Sequence, residues 1–437
     1  MTRVALIVLD TLRKDAFDKH FEWLPGTRFE NAWSTSHWTA PAHASMFTGL
    51  YPVEHGVHAK SPVFGYPKPS LAEQLSDVGV RTRAFSTNAY ASPSFDFDRG
   101  FDEFTGDYRM RCRAGQTFDW YGLIDEMEPG VRRYIAGIRG CLKSDNTLES
   151  FKNGVLIKAM EEGLWSPRDS GITAAIDWVR SSSFTGDQFL FANLMEAHSP
   201  YLRLPEKYRP PFGPEEIPVH PTVEHTFEQV DDAKLREAYD HAIWYLSDRY
   251  RVLFDELINR FDYVLTVADH GELLGEGGFY GHNYGLFPEL THVPVVVSSG
   301  TDRRERRSDV VSLLDVHATL LDLFDVVNDS SRGRSLVADT LPDVEGYLTQ
   351  SAGLQTRFLD RVGGTLAINK YDTSLSGIAT TEGYAFESDG KWNCPNSDVE
   401  FERLIETLTE DLRDPPEDSN TEVDDATEAH LRDLGYA

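Results

Sequence analysis

Two apolar runs that stop on acidic residues constrain this chain most. Val4 to Leu9 is β-rich and unbroken, and it ends on Asp10. Tyr263 to Ala268 has the same character and ends on Asp269-His270. A short strand that is apolar on both faces belongs inside a parallel sheet covered by helices. In open α/β sheets the ligand crevice lies beyond the carboxyl ends of the strands. Asp10, Asp269 and His270 are therefore candidates for one shared site. Either acid alone could simply cap a following turn. Their occurrence together, with a histidine and with Thr39 ahead of a helix, argues for function.

The rest of the chain fits the same architecture. Gln188 to Leu194 is a third core run, ending at Glu196-Ala197-His198, and Thr82 to Ser86 and Val293 to Val297 read as further strands. Helical patterns cover Ser70 to Val78, Gly171 to Val179, Asp232 to Arg260 and Ser312 to Phe324. This alternation predicts an α/β fold, an αβα sandwich around a mixed, mostly parallel sheet. Ser34 to Pro41 reads as a loop and Ala42 to Thr48 as a short helix closed by Gly49. Residues 106–168 read as a mostly helical insertion over the sheet edge. The pattern changes near residue 340, so a catalytic domain is expected over 1–340 and a small α+β subdomain over 341–437. The latter combines short alternating segments, Gly364 to Asn369 and Thr381 to Phe386, with a helix at Val399 to Leu412 and an acidic tail.

Charge and cysteine content narrow the partners. The net charge is -29, from 71 acidic against 42 basic residues, which repels nucleic acid and anionic membrane. The acidity is spread along the chain, as in proteins of a salt-adapted cytoplasm. Three widely separated cysteines form neither a metal-binding pair nor a disulfide framework. No signal peptide precedes the first strand, and no apolar run is long enough to span a bilayer, so a cytoplasmic location is expected.

Two carboxylates, an imidazole and a hydroxyl make a plausible set of donors for one divalent cation. Threonine alone is a poor nucleophile, and a cation would lower the pKa of the Thr39 hydroxyl and orient it. Pro41 near the helix start loses nothing by lacking an N–H. The free N–H groups of that turn could hold oxygens of a transferring phosphoryl or sulfuryl group. His43, four residues after Thr39, could face the same anion.

Asp10, the segment TAPAHASMFTGLYPVEHG (Thr39 to Gly56), TVADHGE (Thr266 to Glu272) and LTHVP (Leu290 to Pro294) resemble the sulfatase branch of the alkaline phosphatase superfamily. The resemblance extends over roughly residues 1–325. It implies a divalent cation (magnesium, manganese, calcium or zinc) held by Asp10, Thr39, Asp269 and His270. It also implies in-line attack by residue 39, a covalent intermediate, and a small C-terminal sheet beside the α/β core. His198, in MEAHSPY, resembles the sulfatase histidine that contacts the substrate anion or leaving group. His198 and His282 are accordingly expected to bind substrate or transfer a proton. Glu196 with His198 falls short of a second metal site.

The departures are as informative. Typical sulfatases carry a Cys or Ser that becomes formylglycine, in a C/S-x-P-x-R motif. Here Thr39 and His43 stand in those places, and oxidised threonine would be a ketone, so no formylglycine is expected. Thr11 replaces a second Asp, and Gly281-His282 replaces a Gly-Lys. The T-x-P-x-H form is similar to nucleotide pyrophosphatases/phosphodiesterases, and phosphonoacetate hydrolases and phosphoglycerol transferases also use threonine. The expected activity is hydrolysis or transfer of a phosphodiester, phosphonate or related anionic ester, on a small-molecule, glycan or lipid-linked substrate. Alternatives are a sulfuric-ester hydrolase that uses threonine directly and a catalytically weak anion-binding protein. Arg13 and Asp15 either form an ion pair that braces the site or are simply exposed, His55 and His317 are expected to be structural, and Arg109, Arg111 and Arg113 to be either solvated or available to an extended anion.

Overall fold

The first apolar run forms β1 (Arg3–Leu9), which lies in the interior of an eight-stranded sheet and is buried from Val4 onward. The structure is a computed structural model. It describes residues 1–106, 118, 120, 123, 130–144, 147–161, 169–201, 204–218, 220–222, 230–301, 303–327, 330–361, 370–394 and 401–415.

The other strands of this sheet are β2 (Gly26–Trp33), β3 (Arg81–Ser86), β4 (Glu103–Thr105), β5 (Gln188–Leu194), β6 (Tyr263–Val267), β9 (Val295–Ser298) and β10 (Arg304–Ser312), while β7 (Leu273–Leu274) and β8 (Tyr280–Gly281) pair with each other apart from it. Their order is β10-β2-β9-β6-β1-β5-β3-β4. From β6 to β4 all neighbours are parallel, while β9 runs antiparallel to both β6 and β2. The sheet is mixed and mostly parallel, as the alternation of elements predicts. Four parallel strands, β6, β1, β5 and β3, thus deliver their carboxyl ends to one edge. Register aligns them closely: Val8 pairs with Val267 and Leu9 with Leu194, so Asp10 and Asp269 emerge side by side.

Helices cover the sheet in two groups. The helix Asp232–Ile258 packs on Lys14–His20 and Ile172–Ser181, burying Leu235, Ala242, Leu246, Leu253 and Leu257 from one face. The helix Thr39–Thr48 packs on Leu71–Asp77 and Leu313–Leu323. Ser70 caps Leu71–Asp77 with a reciprocal Ser70–Glu73 pair, and Ser312 with Asp315 does the same for Leu313–Leu323. Among the described residues no helix is long and apolar enough to cross a membrane.

Three departures from the sequence reading have physical causes. The helix expected from Ala42 begins at Thr39, because extended Trp38 takes the N-cap position and Pro41 needs no N–H partner in a first turn. β2 and β10 carry few apolar runs. Charged residues interrupt their apolar ones: Arg28 of β2 is buried, and Arg306 of edge strand β10 pairs with Glu30 of β2 and with Glu22. The reading also passes over the short helix Lys14–His20, which carries mostly charged residues.

A separate antiparallel sheet follows, in the order β11 (Tyr347–Ala352), β12 (Ser374–Thr380), β13 (Gly383–Ser388) and β14 (Lys391–Asn393). It packs on the core through Tyr347, Ile378, Ala385 and Phe386 against Trp33, Leu286, Leu290 and Leu314, with Tyr384 stacked 4.1 Å from Trp33. The expected C-terminal helix spans Phe401–Glu410. Two described helices, Val131–Lys143 and Thr147–Glu161, lie in the expected insertion. Arg109, Arg111, Arg113, Cys112, the segment 364–369 and the tail beyond 415 lie outside the described residues. Cys141 and Cys394 are free thiols.

Candidate metal and ester site

Asp10 follows β1, Asp269 and His270 follow β6, and Thr39 opens a helix that is buried at every residue. The four meet beyond the carboxyl edge of the sheet. Ligand atoms of Asp10, Asp269 and His270 lie within 4.8 Å of one another, which makes them a candidate divalent-metal site. Thr39 Oγ1 is 3.3 Å from His270 Nε2.

The donor chemistry fits a cation. Asp10 Oδ2 accepts from Asn88 Nδ2 at 2.6 Å and Asn193 Nδ2 at 3.1 Å, while Asp10 Oδ1 is buried with no hydrogen-bond partner. Asp269 Oδ1 accepts from the His270 N–H at 2.9 Å and the Thr11 N–H at 3.3 Å, while its Oδ2 is buried and unpartnered. His270 Nδ1 donates to the Gly271 carbonyl at 2.9 Å, which leaves the Nε2 lone pair on the side of Thr39. Two buried carboxylate oxygens without hydrogen-bond partners would be costly without a positive charge between them. Burial raises the Asp10 pKa, offset in part by His43, Asn193 and Asn88. It raises that of Asp269 further, with the adjacent Asp10 adding to the shift. Burial also holds His270 neutral, the state that binds metal.

The loops around these residues are fixed by the fold. Tyr239, on the long helix, donates to the Thr11 carbonyl at 2.8 Å and accepts the Arg13 N–H at 2.9 Å. Thr11 has φ 59, a rare conformation for a β-branched residue, and its hydroxyl donates to the Asp10 carbonyl. Arg13 forms the ion pair with Asp15 and also reaches Glu276 and the Glu272 carbonyl. Gly271 has no room for a side chain, since a Cβ there would sit 2.0 Å from the Glu289 carbonyl oxygen. Gly271→Ala is expected to cost roughly 1–3 kcal/mol of stability, as overpacking does. A thermal scan of the variant tests this, and an unchanged Tm would mean that the loop yields freely.

The histidines divide into two kinds. His282 Nδ1 lies 2.7 Å from Glu272 Oε1, and Tyr201 donates to Glu272 Oε2 at 2.7 Å. Burial pushes the His282 pKa down, but the Glu272 carboxylate outweighs it and the net shift is upward. The His282 ring is centred 4.7 Å from His270 and 5.1 Å from His198, so all three cluster at the site. His198 Nδ1 contacts the Ser199 carbonyl at 2.8 Å. His43 differs, because both its ring nitrogens have protein partners. Nδ1 meets the Thr39 carbonyl at 3.0 Å and Nε2 meets Asn193 at 3.1 Å. Phe47, Phe97 and Phe191 pack against it, and burial lowers its pKa to about 4. His43 therefore sits in the site as a neutral ring that holds Asn193, rather than one turned to an anion.

Other expectations fall out plainly. Glu196 Oε1 accepts the Ile172 N–H and so holds the start of a helix. His55 bridges Ser45 and the Val57 N–H inside the core, and His317 is wholly buried in its helix. Asn88, Asn193 and Glu272 belong to the site without having been singled out. Asn193 offered a signal, an amide inside the apolar run QFLFANL. Asn88 offered only its place just beyond β3.

Comparison with known proteins follows the same lines. The sulfatase family profile matches residues 19–326. The uncharacterized sulfatase YidJ of Escherichia coli (strain K12) is 22% identical over 325 residues, which are 69% of this chain and 61% of that protein. The choline-sulfatase of Rhizobium meliloti (strain 1021) is 22% identical over 450 residues, covering 94% of this chain and 79% of that protein. Among solved structures, the phosphonate monoester hydrolase of Agrobacterium radiobacter superposes with a TM-score of 0.63 at 16% identity, covering 94% of this chain and 95% of that one. At that identity the likeness is one of fold.

Proposed function

The chain belongs to the sulfatase family, and on that premise we propose that it is a metal-dependent hydrolase of a sulfuric or phosphoric ester with Thr39 as nucleophile. One observation carries the reading. Asp10 Oδ1 and Asp269 Oδ2 are buried without partners beside His270 Nε2 and the Thr39 hydroxyl. A single divalent cation fits this set, since no other cluster of three such ligands occurs among the described residues.

A bound cation of this kind supplies Lewis-acid polarisation and makes the threonine hydroxyl easier to ionise. The residues do the rest. Thr39 gives up its hydroxyl proton to solvent as Oγ1 attacks sulfur or phosphorus, the bond to the leaving oxygen breaks, that oxygen takes up a proton, and a Thr39 ester forms. The Thr39 and Ala40 N–H groups have no intrahelical acceptor and are available to the oxygens of the transferring group. His282, whose pKa the Glu272 carboxylate raises against the effect of burial, is the better proton donor to the leaving oxygen. His198 lines the same pocket and binds substrate. Attack of water on the Thr39 ester then releases the acid and restores the hydroxyl.

The family and both curated relatives favour a sulfuric ester as the substrate. A second reading, a phosphodiester or phosphonate, rests on Thr39 itself. Without an aldehyde hydrate the enzyme must break its own ester by attack at the central atom. Among the described residues no Lys or Arg side chain contacts Asp10, Thr39, Asp269 or His270 by hydrogen bond or ion pair, so a singly charged ester suits the site better than a dianion. The test is a parallel rate comparison on an aryl sulfate, phosphate monoester, phosphodiester and phosphonate monoester with each candidate metal. Turnover of the aryl sulfate fastest is the expected result. A leading rate on the phosphodiester or phosphonate would move the assignment to the second reading, and no turnover of any would refute both.

A further inference from the structure

We propose that Asn88 is a catalytic residue of this site, holding the Thr39 hydroxyl and stabilising its oxygen as that oxygen gains negative charge. The inference rests on the reading of Thr39 as nucleophile. It is carried by the orientation of one buried amide.

Asn88 follows β3 by two residues and is 2% exposed. Its Oδ1 accepts the Tyr90 N–H at 2.7 Å, and its own N–H donates to Ser86 Oγ at 3.2 Å. The Tyr90 contact decides which end of the amide points where. A flipped amide would set an NH2 group against a backbone N–H and a carbonyl against the Asp10 carboxylate. The NH2 group therefore faces the site. Its two hydrogens are shared between Asp10 Oδ2 at 2.6 Å and Thr39 Oγ1 at 3.2 Å.

No other contact seen on the Thr39 hydroxyl is a donor. Its second neighbour, His270 Nε2, is a lone-pair nitrogen because Nδ1 is committed to the Gly271 carbonyl. When Thr39 loses its proton to become the attacking oxygen, the Asn88 hydrogen bond remains and becomes charge-assisted, about twice as strong as a neutral one. Asn88 also joins two elements, since Asp10 follows β1 and Thr39 opens a helix. Asn193 provides the contrast. Its Nδ2 contacts Asp10 Oδ2 and His43 Nε2 at 3.1 Å each, and it does not touch Thr39.

That contrast makes the role testable. Asn88→Ala and the near-isosteric Asn88→Leu both remove the donor to Thr39, and Asn193→Ala removes a donor to Asp10 and the His43 contact without touching Thr39. Metal affinity by titration calorimetry, and kcat and KM at saturating metal, should be measured for all three. All three are expected to bind metal more weakly. At saturating metal, both Asn88 variants should still lose about 100-fold or more in kcat with KM little changed, as removal of an oxyanion donor does. Asn193→Ala should lose at least about tenfold less. If saturating metal brings either Asn88 variant within tenfold of wild type, Asn88 acts through Asp10 alone and the proposal is overturned. An active Thr39→Ala protein would instead remove the premise, so the two failures are distinct.

Discussion

Thr39→Ala should lower kcat by ~10,000-fold or more while leaving the fold and the metal site in place, in line with loss of a covalent nucleophile elsewhere. The size follows from what alanine lacks. No other described hydroxyl has been found against His270 Nε2, and water lacks the fixed placement that the Asn88 and His270 contacts give Thr39 Oγ1. The structural cost is small. Thr39 is the first residue of its helix and its side chain caps nothing, and alanine is the better helix former. Losing two hydrogen bonds of the hydroxyl costs about 1 kcal/mol each. Metal affinity, Tm and turnover measured together separate these effects. Thr39→Ser keeps a hydroxyl and should retain measurable turnover. If Thr39→Ala turned over substrate at the wild-type rate, the threonine ester would not exist.

The residues that made this site legible in the sequence share one property. Asp10 and Asp269-His270 sit where an apolar run stops, and such runs can be read without any knowledge of sheet order. Their meeting at one edge followed from parallel strands, and the register of β1 against β6 bears that out. The mixed sheet was legible for the same reason, and the small antiparallel sheet showed instead as short alternation such as Thr381 to Phe386. β2 and β10 were not, because charged residues interrupt their buried apolar ones: Phe29, Ala32, Trp33, Val310 and Val311 stand among Arg28, Glu30, Arg306 and Arg307. Asn88 was hidden because a single amide in a loop carries no periodic signal, and its meaning appears only when β3 lies two places from β1. His43 shows the opposite error. Its spacing from Thr39 is right for a shared face, but the aromatic packing of Phe47, Phe97 and Phe191 and the Asn193 contact enclose it. Helical spacing says which residues are neighbours and not which way a pocket opens.

Asp269→Asn should have opposite effects on the protein with and without metal. Asparagine keeps the shape and can still accept the Thr11 and His270 N–H groups through one oxygen. It replaces Oδ2, the unpartnered oxygen, with an NH2 group that cannot bind a cation. Metal affinity is expected to fall by at least about 100-fold, beyond the 10–100-fold typical of residues that only support a ligand. The metal-free protein should gain stability at neutral pH. Burial, and then the neighbouring Asp10, hold the folded Asp269 pKa well above its ordinary value of 3.8. An acid shifted upward on folding costs nothing well below its unfolded pKa. Its cost grows as pH rises past that value and is complete above the folded pKa. Asparagine removes the cost at every pH. Thermal scans with chelator and with saturating metal should therefore cross: the variant melts higher than wild type without metal, and gains far less when metal is added. An unchanged metal-induced rise in Tm would show that Asp269 is not a ligand. A lower melting point without metal would show that its carboxylate stabilises the empty fold, contrary to two acids that each bury an oxygen without a hydrogen-bond partner.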